Sequence, residues 1–307
     1  ARCLAIDWKR LRDCDAQVEA LSGLIIAEAA LGSNVDDLNN LMEFLVQLLD
    51  GMLHEDGGHK SRMPNTHMKV LRKLIEIRNI GPSKKLAQLA WLDKTIARMG
   101  AISRMWRHAD GQFARFNGAG MLSLEIIDET LSLAGQNGKL LQQAPKTGFL
   151  RFSSGRSTVI MDVGQPAKGA KIAAYGTLGF EFAVGQNLLV INPGQSVNDS
   201  NLRRLLCSTK AHSTVSIDGQ NSSDFEADRL AKVYDIELGR AKGGLLAVAR
   251  HDGYDASHGI IHQRKLYLST GGGNLRGSDH LEYTGAPGEI ARLAVVRFHL
   301  HPRVTAA

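Results

Sequence analysis

The sequence predicts a multidomain α + β protein: a helical part over residues 1–145, then an antiparallel β part over residues 146–307. Three observations carry this. Apolar residues in the first part recur at three- and four-residue steps, the spacing of one helix face. Near Pro145 the apolar period falls toward two and glycine becomes frequent. Only two of the seven prolines, Pro64 and Pro82, come before Pro145, and both read as helix starts.

The first helix is marked by Val18, Leu21, Leu24 and Ile25, and the second by Leu38, Leu41, Leu45 and Leu48. Ser33-Asn34-Val35-Asp36-Asp37 offers the second one a cap and an acidic first turn. A third helix runs from Pro64 through Val70, Leu71, Leu74 and Ile77, with Gly81 as its stop. A fourth follows Pro82-Ser83 through Leu86, Leu89, Trp91, Ile96 and Met99. A fifth covers roughly Met121 to Leu133. Beyond Pro145, short strands are expected at 149–152, 157–162, 178–184, 187–191, 213–217, 245–249, 265–268 and 294–300. Turn residues such as Gly155, Pro193-Gly194, Asp218-Gly219 and Gly271-Gly272-Gly273 separate them. Many short strands with such turns point to an antiparallel sandwich. No internal repeat of fixed period is expected.

Composition narrows the function. With 43% hydrophobic and 22% charged residues the chain is ordinary globular material. Its most apolar stretch, Leu21 to Leu31, contains Glu28 and falls short of a membrane span. Three cysteines at irregular spacing give neither a disulfide framework nor a CxxC pair. The first residue is Ala1, the opening Leu4-Ala5-Ile6-Asp7-Trp8 reads as mid-helix, and the far end stops abruptly, so the chain is expected to be a piece of a longer protein. The net charge of +6 favours a polyanionic partner. Nucleic acid and acidic polysaccharide are both candidates; no nucleic-acid motif is present, and scattered Lys and Arg also read as an ordinary solvated surface. Oligomeric state and cellular compartment are not written in the sequence.

Polar residues concentrate in a few segments. His54-Glu55-Asp56-Gly57-Gly58-His59-Lys60-Ser61-Arg62-Met63-Pro64-Asn65 joins two helices, where His59 can move protons and Arg62 can clamp a carboxylate. The competing reading is a turn followed by a helix start. Arg107-His108-Ala109-Asp110-Gly111-Gln112, continuing to Phe116-Asn117-Gly118, carries the same two readings. In the second half lie His212 and the cluster His251, Tyr254, His258, His262, Arg264 and Tyr267. His299 and His301 alternate on a strand and share a face, too few for a metal site alone.

Taken in order, Asp56-Gly57-Gly58-His59-x-Ser61-Arg62-x-Pro64, Asp110-Gly111, Phe116-Asn117-Gly118, Gly179-Phe180-Glu181, Val190-Ile191-Asn192, Ala211-His212-Ser213-Thr214, His251-Asp252-Gly253-Tyr254, Arg264 and Arg297-Phe298-His299-Leu300-His301-Pro302 resemble the heparinase II/III-like proteins, in particular the group common in alphaproteobacteria. The resemblance implies a helical (α/α) toroid portion, a β-sandwich portion and a substrate cleft between them. It also implies β-elimination on uronic-acid polysaccharides such as heparan sulfate, heparin or alginate. On that basis the expected catalytic residues are Tyr254, His59 and His212. Arg62, Asn65, Asp110, Asn117, His251 and Arg264 are the expected substrate-binding residues. His212 further resembles a histidine that binds zinc in some members. The strand Ala173 to Phe180 lacks the usual second histidine, however, and Asn192 stands where an acid is common. The expectation is therefore no cofactor and no structural zinc, the ligand set being incomplete. The helical-domain tyrosine of the family has no match, since no tyrosine precedes Tyr175. The alternative is a non-catalytic module that holds anionic glycan without cutting it. A scaffold for a protein partner would leave the polar loops without a role.

Overall fold

The computed structural model describes residues 8–135, 139–167, 174–194, 199–225, 228–285 and 293–305. The expected opening helix at Leu4–Asp7 lies outside them. Among the described residues the protein is α + β, with seven α-helices and antiparallel sheets. It divides into two compact units, Ala1–Arg104 with Ser123–Leu140, and Met105–Leu122 with Leu141–Ala307. The second unit therefore contains a loop that a linear division near residue 145 leaves with the helices.

The first unit is built from α1 (Cys14–Ala30), α2 (Val35–Met52), α3 (Pro64–Lys84), most of α4 (Leu89–Trp106) and α5 (Leu124–Leu133). Asn34 caps α2 as its sequence predicts, accepting the Asp36 N–H at 2.9 Å. The apolar stripe of α2, Leu38, Met42, Leu45 and Leu49, is buried throughout. Pro82 does not begin a helix. It lies inside the last turn of α3, which ends at Lys85 in a left-handed conformation (φ 54°). Gly81 explains this. A residue before proline is pushed out of the helical region by its own Cβ, and glycine has none. A Cβ at Gly81 would also meet the Leu89 side chain at 2.3 Å.

The helices contain one repeat that the apolar pattern does not show. Helices α2 and α4 correspond at a shift of 54 residues, Val35 with Leu89 and Met52 with Trp106. The loop after each closes in the same way. His54 N–H donates to Gly58 O and His108 N–H to Gln112 O, at 2.8 and 2.9 Å. Lys60 N–H returns to Met52 O, and Ala114 N–H to Trp106 O. The shared Asp-Gly turn, Asp56-Gly57 and Asp110-Gly111, is too short for sequence periodicity to expose.

The second unit holds two main sheets. One has the order β1-β2-β3-β4-β5: Gln143–Ala144, Phe149–Ser154, Ser157–Asp162, Phe180–Val184 and Asn187–Val190. The other has the order β10-β9-β8-β7: Leu275–Tyr283, Ile260–Ser269, Gly244–Tyr254 and Val233–Ala241. A short pair joins β6 (Val215–Ile217) to β11 (Ala294–Val296). The expected strand at 294–300 is thus shared, since His301 N–H pairs with Leu189 O, beside β5. Strands β7 and β10 and helix α6 (Ser200–Cys207) were not expected. Strands β7 and β10 alternate poorly because both faces are largely exposed. Alternate residues of the two main sheets, Leu150, Phe152, Val159, Met161, Phe180, Ala247, Ala249, Leu266 and Leu268, form one shared core.

Period two then sends Phe149, Arg151 and Glu181 to the opposite face of the first sheet. The segment Met105–Leu122 covers that face. Phe149 packs edge-on to Trp106 and against Phe116, with ring centroids 5.4 and 5.1 Å apart. Arg151 Nη1 donates to Met105 O at 3.0 Å and Arg107 O at 2.8 Å.

Candidate functional site

In the first unit the candidate residues gather on the loop between α2 and α3. The backbone reverses at Asp56-Gly57-Gly58, where Gly57 has φ 96° and a Cβ would lie 2.6 Å from Arg98 Cβ. Only glycine fits both demands. His59 is 4% exposed. Its Nδ1 accepts the Ser61 N–H at 3.1 Å and meets Ser61 Oγ at 2.7 Å, so the proton sits on Nε2. That Nε2 lies 3.1 Å from Asp15 Oδ1, an ion-pair distance without the alignment of a hydrogen bond. Behind it, His67 accepts the His59 N–H on Nδ1 at 3.3 Å and donates from Nε2 to Met99 O at 2.9 Å. Complete burial holds the His67 pKa down at about 3.

Arg62 is buried and takes a left-handed backbone (φ 58°), a strained choice for a side chain of its size. Asn65, in the first turn of α3, keeps its Oδ1 buried without a hydrogen-bond partner. His59, Arg62 and Asn65 are therefore brought onto one loop and helix start, as their sequence spacing requires.

In the second unit Asp110 accepts the Gln112 N–H at 3.0 Å and closes the turn of its loop. Asn117 is buried in a left-handed conformation (φ 55°). His212 is 3% exposed, and its Nδ1–H donates to Ser208 O at 2.8 Å, leaving Nε2 as a lone pair. Burial holds its pKa at about 4. Tyr254 is fully buried, its hydroxyl donating to Val215 O at 2.8 Å, and burial pushes the phenol well above its usual range.

His251 and Arg264 belong to a buried chain whose tautomers can be read in series. Gly253 N–H donates to His251 Nδ1 at 3.0 Å, so His251 carries its proton on Nε2 and gives it to His262 Nδ1 at 3.0 Å. His262 Nε2 then donates to Asp279 Oδ1 at 2.7 Å. Arg264 grips both oxygens of Asp279, at 2.8 and 3.0 Å, and reaches Leu178 O. Burial lowers the pKa of both histidines. The hydrogen bonds from His262 and Arg264 hold Asp279 well below the usual carboxylate range, against the upward push of its own burial. At 1% exposure each, His251 and Arg264 fasten β8, β9 and β10 together rather than present themselves to solvent.

Two acids to which the sequence assigns no role, Asp279 and Glu181, organise this unit. Glu181 is 1% exposed. One oxygen accepts from His108 Nε2 at 2.9 Å, and the other from Arg115 N–H at 2.9 Å, Asn192 N–H at 3.0 Å and Asn192 Nδ2 at 3.3 Å. The available signal was a lone acid between Phe180 and Phe182 in an apolar strand.

His212 offers one lone pair, and Asn192 donates its Nδ2 to Glu181 while its Oδ1 stays buried without a partner. Among the described residues no group of three His, Cys, Asp or Glu side chains could hold a metal ion. His299 is occupied with Lys210 O at 2.9 Å, and His301 accepts from Arg303 N–H. No described helix is long and apolar enough to cross a membrane.

A family profile, Heparinase II/III-like, C-terminal, matches residues 136–307. The chain belongs to the heparinase II/III-like family. A curated relative, FtsZ-localized protein C of Caulobacter vibrioides (strain NA1000 / CB15N), is 28% identical over 286 residues, 87% of this chain and 49% of the relative. The chain thus spans about half the length of that relative. Among solved structures it is similar to the heparinase III-BT4657 gene product, with a TM-score of 0.73, 17% identity, and coverage of 89% of this chain and 46% of that one. It is also similar to heparan sulfate lyase HepC from Pedobacter heparinus, with a TM-score of 0.64, 14% identity, and coverage of 85% and 45%. At such identities these likenesses show the fold.

Proposed function

We propose that this chain is an acidic-glycan-binding module of a polysaccharide-lyase family and does not itself carry out elimination. The carrying observation is Tyr254. The tyrosine that should serve as base or acid has no exposed surface, and its proton is already given to Val215 O. A proton-transfer group must come within about 3 Å of the proton it moves, and burial keeps this phenol away from solvent. Two of the expected substrate-binding residues, His251 and Arg264, are likewise consumed inside their own network. The net charge of +6 suits a uronate polymer, with Arg62 and Asn65 of the first unit as the carboxylate-side groups. The helical residues read as an arc of an α/α toroid and the two sheets as a β-sandwich. The curated relative is named for its location with FtsZ, not for an enzymatic step, which suits a non-catalytic role.

The enzymatic reading keeps one observation in its favour. The buried Oδ1 of Asn65 has unspent accepting capacity, as a group meeting a sugar hydroxyl or a protonated carboxyl would. One experiment separates the two readings. Heparin, heparan sulfate, hyaluronan and alginate are titrated into the protein at two salt concentrations while ultraviolet absorbance follows the C4–C5 double bond of elimination. Salt-sensitive binding without absorbance is the expected result. A rise in absorbance that His59→Ala abolishes establishes a lyase, and absence of binding to all four polymers removes the glycan reading.

A further inference from the structure

We propose that Glu181 is a positioning residue: its buried carboxylate sets the conformation of the 108–118 loop, whose solvent-reachable tip carries Asp110. This rests on the glycan reading above for its functional meaning, and on geometry alone for its structural one.

Three observations support it. The first is place. Strand β4 alternates Phe180 and Phe182 toward the shared core, so Glu181 faces the other way, onto the surface that Met105–Leu122 covers. An apolar side chain would be expected there, and a carboxylate is costly unless fully hydrogen-bonded. The second is convergence. His108, Arg115 and Asn192 supply four donors, two of them from opposite ends of the loop and two from the chain just after β5. One side chain thus joins two stretches of backbone that share no ladder. The third is contrast. The loop at 54–60 makes the same turn, yet His54, in the place of His108, is only half-buried.

The geometry also fixes a proton. His108 Nε2 donates to Glu181, and His108 Nδ1 is buried with no partner. Glu181→Gln preserves size but turns an amide N–H toward His108. The imidazole must then accept on Nε2 and carry its proton on Nδ1.

The test combines three readouts on wild type and Glu181→Gln: nitrogen NMR of the His108 tautomer, amide hydrogen exchange, and affinity for the glycan that wild type binds. The expected result is a tautomer switch at His108, exchange over 108–118 faster by about tenfold or more with β7–β10 unchanged, and affinity lower by about tenfold. An unchanged tautomer overturns the proposal. So does faster exchange spread evenly over the second unit, which marks Glu181 as a general stabiliser. If Glu181→Gln does not fold, Asn192→Ala, which removes one side-chain donor, takes its place: faster exchange confined to 108–118 and 190–194 supports the proposal, and an even spread overturns it. If wild type binds no glycan, the functional reading fails, while tautomer and exchange still decide the role of Glu181.

Discussion

Acidification from pH 7 to pH 5 should destabilise both units, and buried histidines set the amount. His67 and His212 are completely buried and held neutral, at about 3 and about 4. In an unfolded chain each titrates near 6.5. The folded pKa lies below the unfolded one, so between the two values only the unfolded chain takes up the proton. Stability is therefore full above about pH 6.5 and falls as pH drops toward the folded value. At pH 5 that is about 1.5 pH units below the unfolded pKa, or about 2 kcal/mol for each histidine. His67 acts on the first unit and His212 on the second, where His251 and His262 add loss in the same direction. Asp279 works at lower pH. Its depressed carboxyl gives stability that is lost only as pH falls below the ordinary aspartate range. Against a typical total of about 5–15 kcal/mol, about 2 per unit is plainly measurable. Urea unfolding at pH 7, 6 and 5 reads the slope. His67→Asn, which keeps the acceptor for His59 N–H, should remove about one proton from the slope of the first unit. Equal stability at pH 5 and pH 7 in wild type would refute the burial argument, as would an unaltered slope in the variant.

Other consequences are independent of pH. Tyr254→Phe should lower stability by about 1 kcal/mol, the net worth of its hydrogen bond to Val215 O, and leave glycan binding unchanged; calorimetric melting and titration check both. Gly57→Ala combines a left-handed φ with a contact of 2.6 Å to Arg98 Cβ, whereas Gly135→Ala meets nothing within 4 Å. Thermal melts should show the first costing about 2 kcal/mol more than the second. Chelation should leave the melting temperature and glycan affinity unaltered, because among the described residues no group of three metal-ligating side chains forms. A drop in melting temperature restored by zinc would show that the metal site persists.

Local chemistry was legible in the sequence. The Asn34 cap, the strand at 157–162 and the turns at Asp56-Gly57 and Asp110-Gly111 follow from side-chain size, capping and φ preference, which act over a few residues; of the stripe expected on α2, Leu38 and Leu45 are buried, while Met42 and Leu49 take the places expected for Leu41 and Leu48. The ordered motifs also carried the family, to which the chain belongs. What the sequence could not supply was the partner of each polar side chain. His251, Tyr254 and Arg264 read as a reactive cluster because a sequence shows kind and spacing but not exposure. Folding spent their hydrogen bonds on His262, Val215 and Asp279, the last arriving from a strand whose exposed faces hid its pattern. Glu181 gained its role only when the sheet turned it toward a loop 66 residues earlier in the chain. Burial makes every unmet donor or acceptor costly, so distant segments had to meet each of these groups, and only the tertiary structure decides which segments those are.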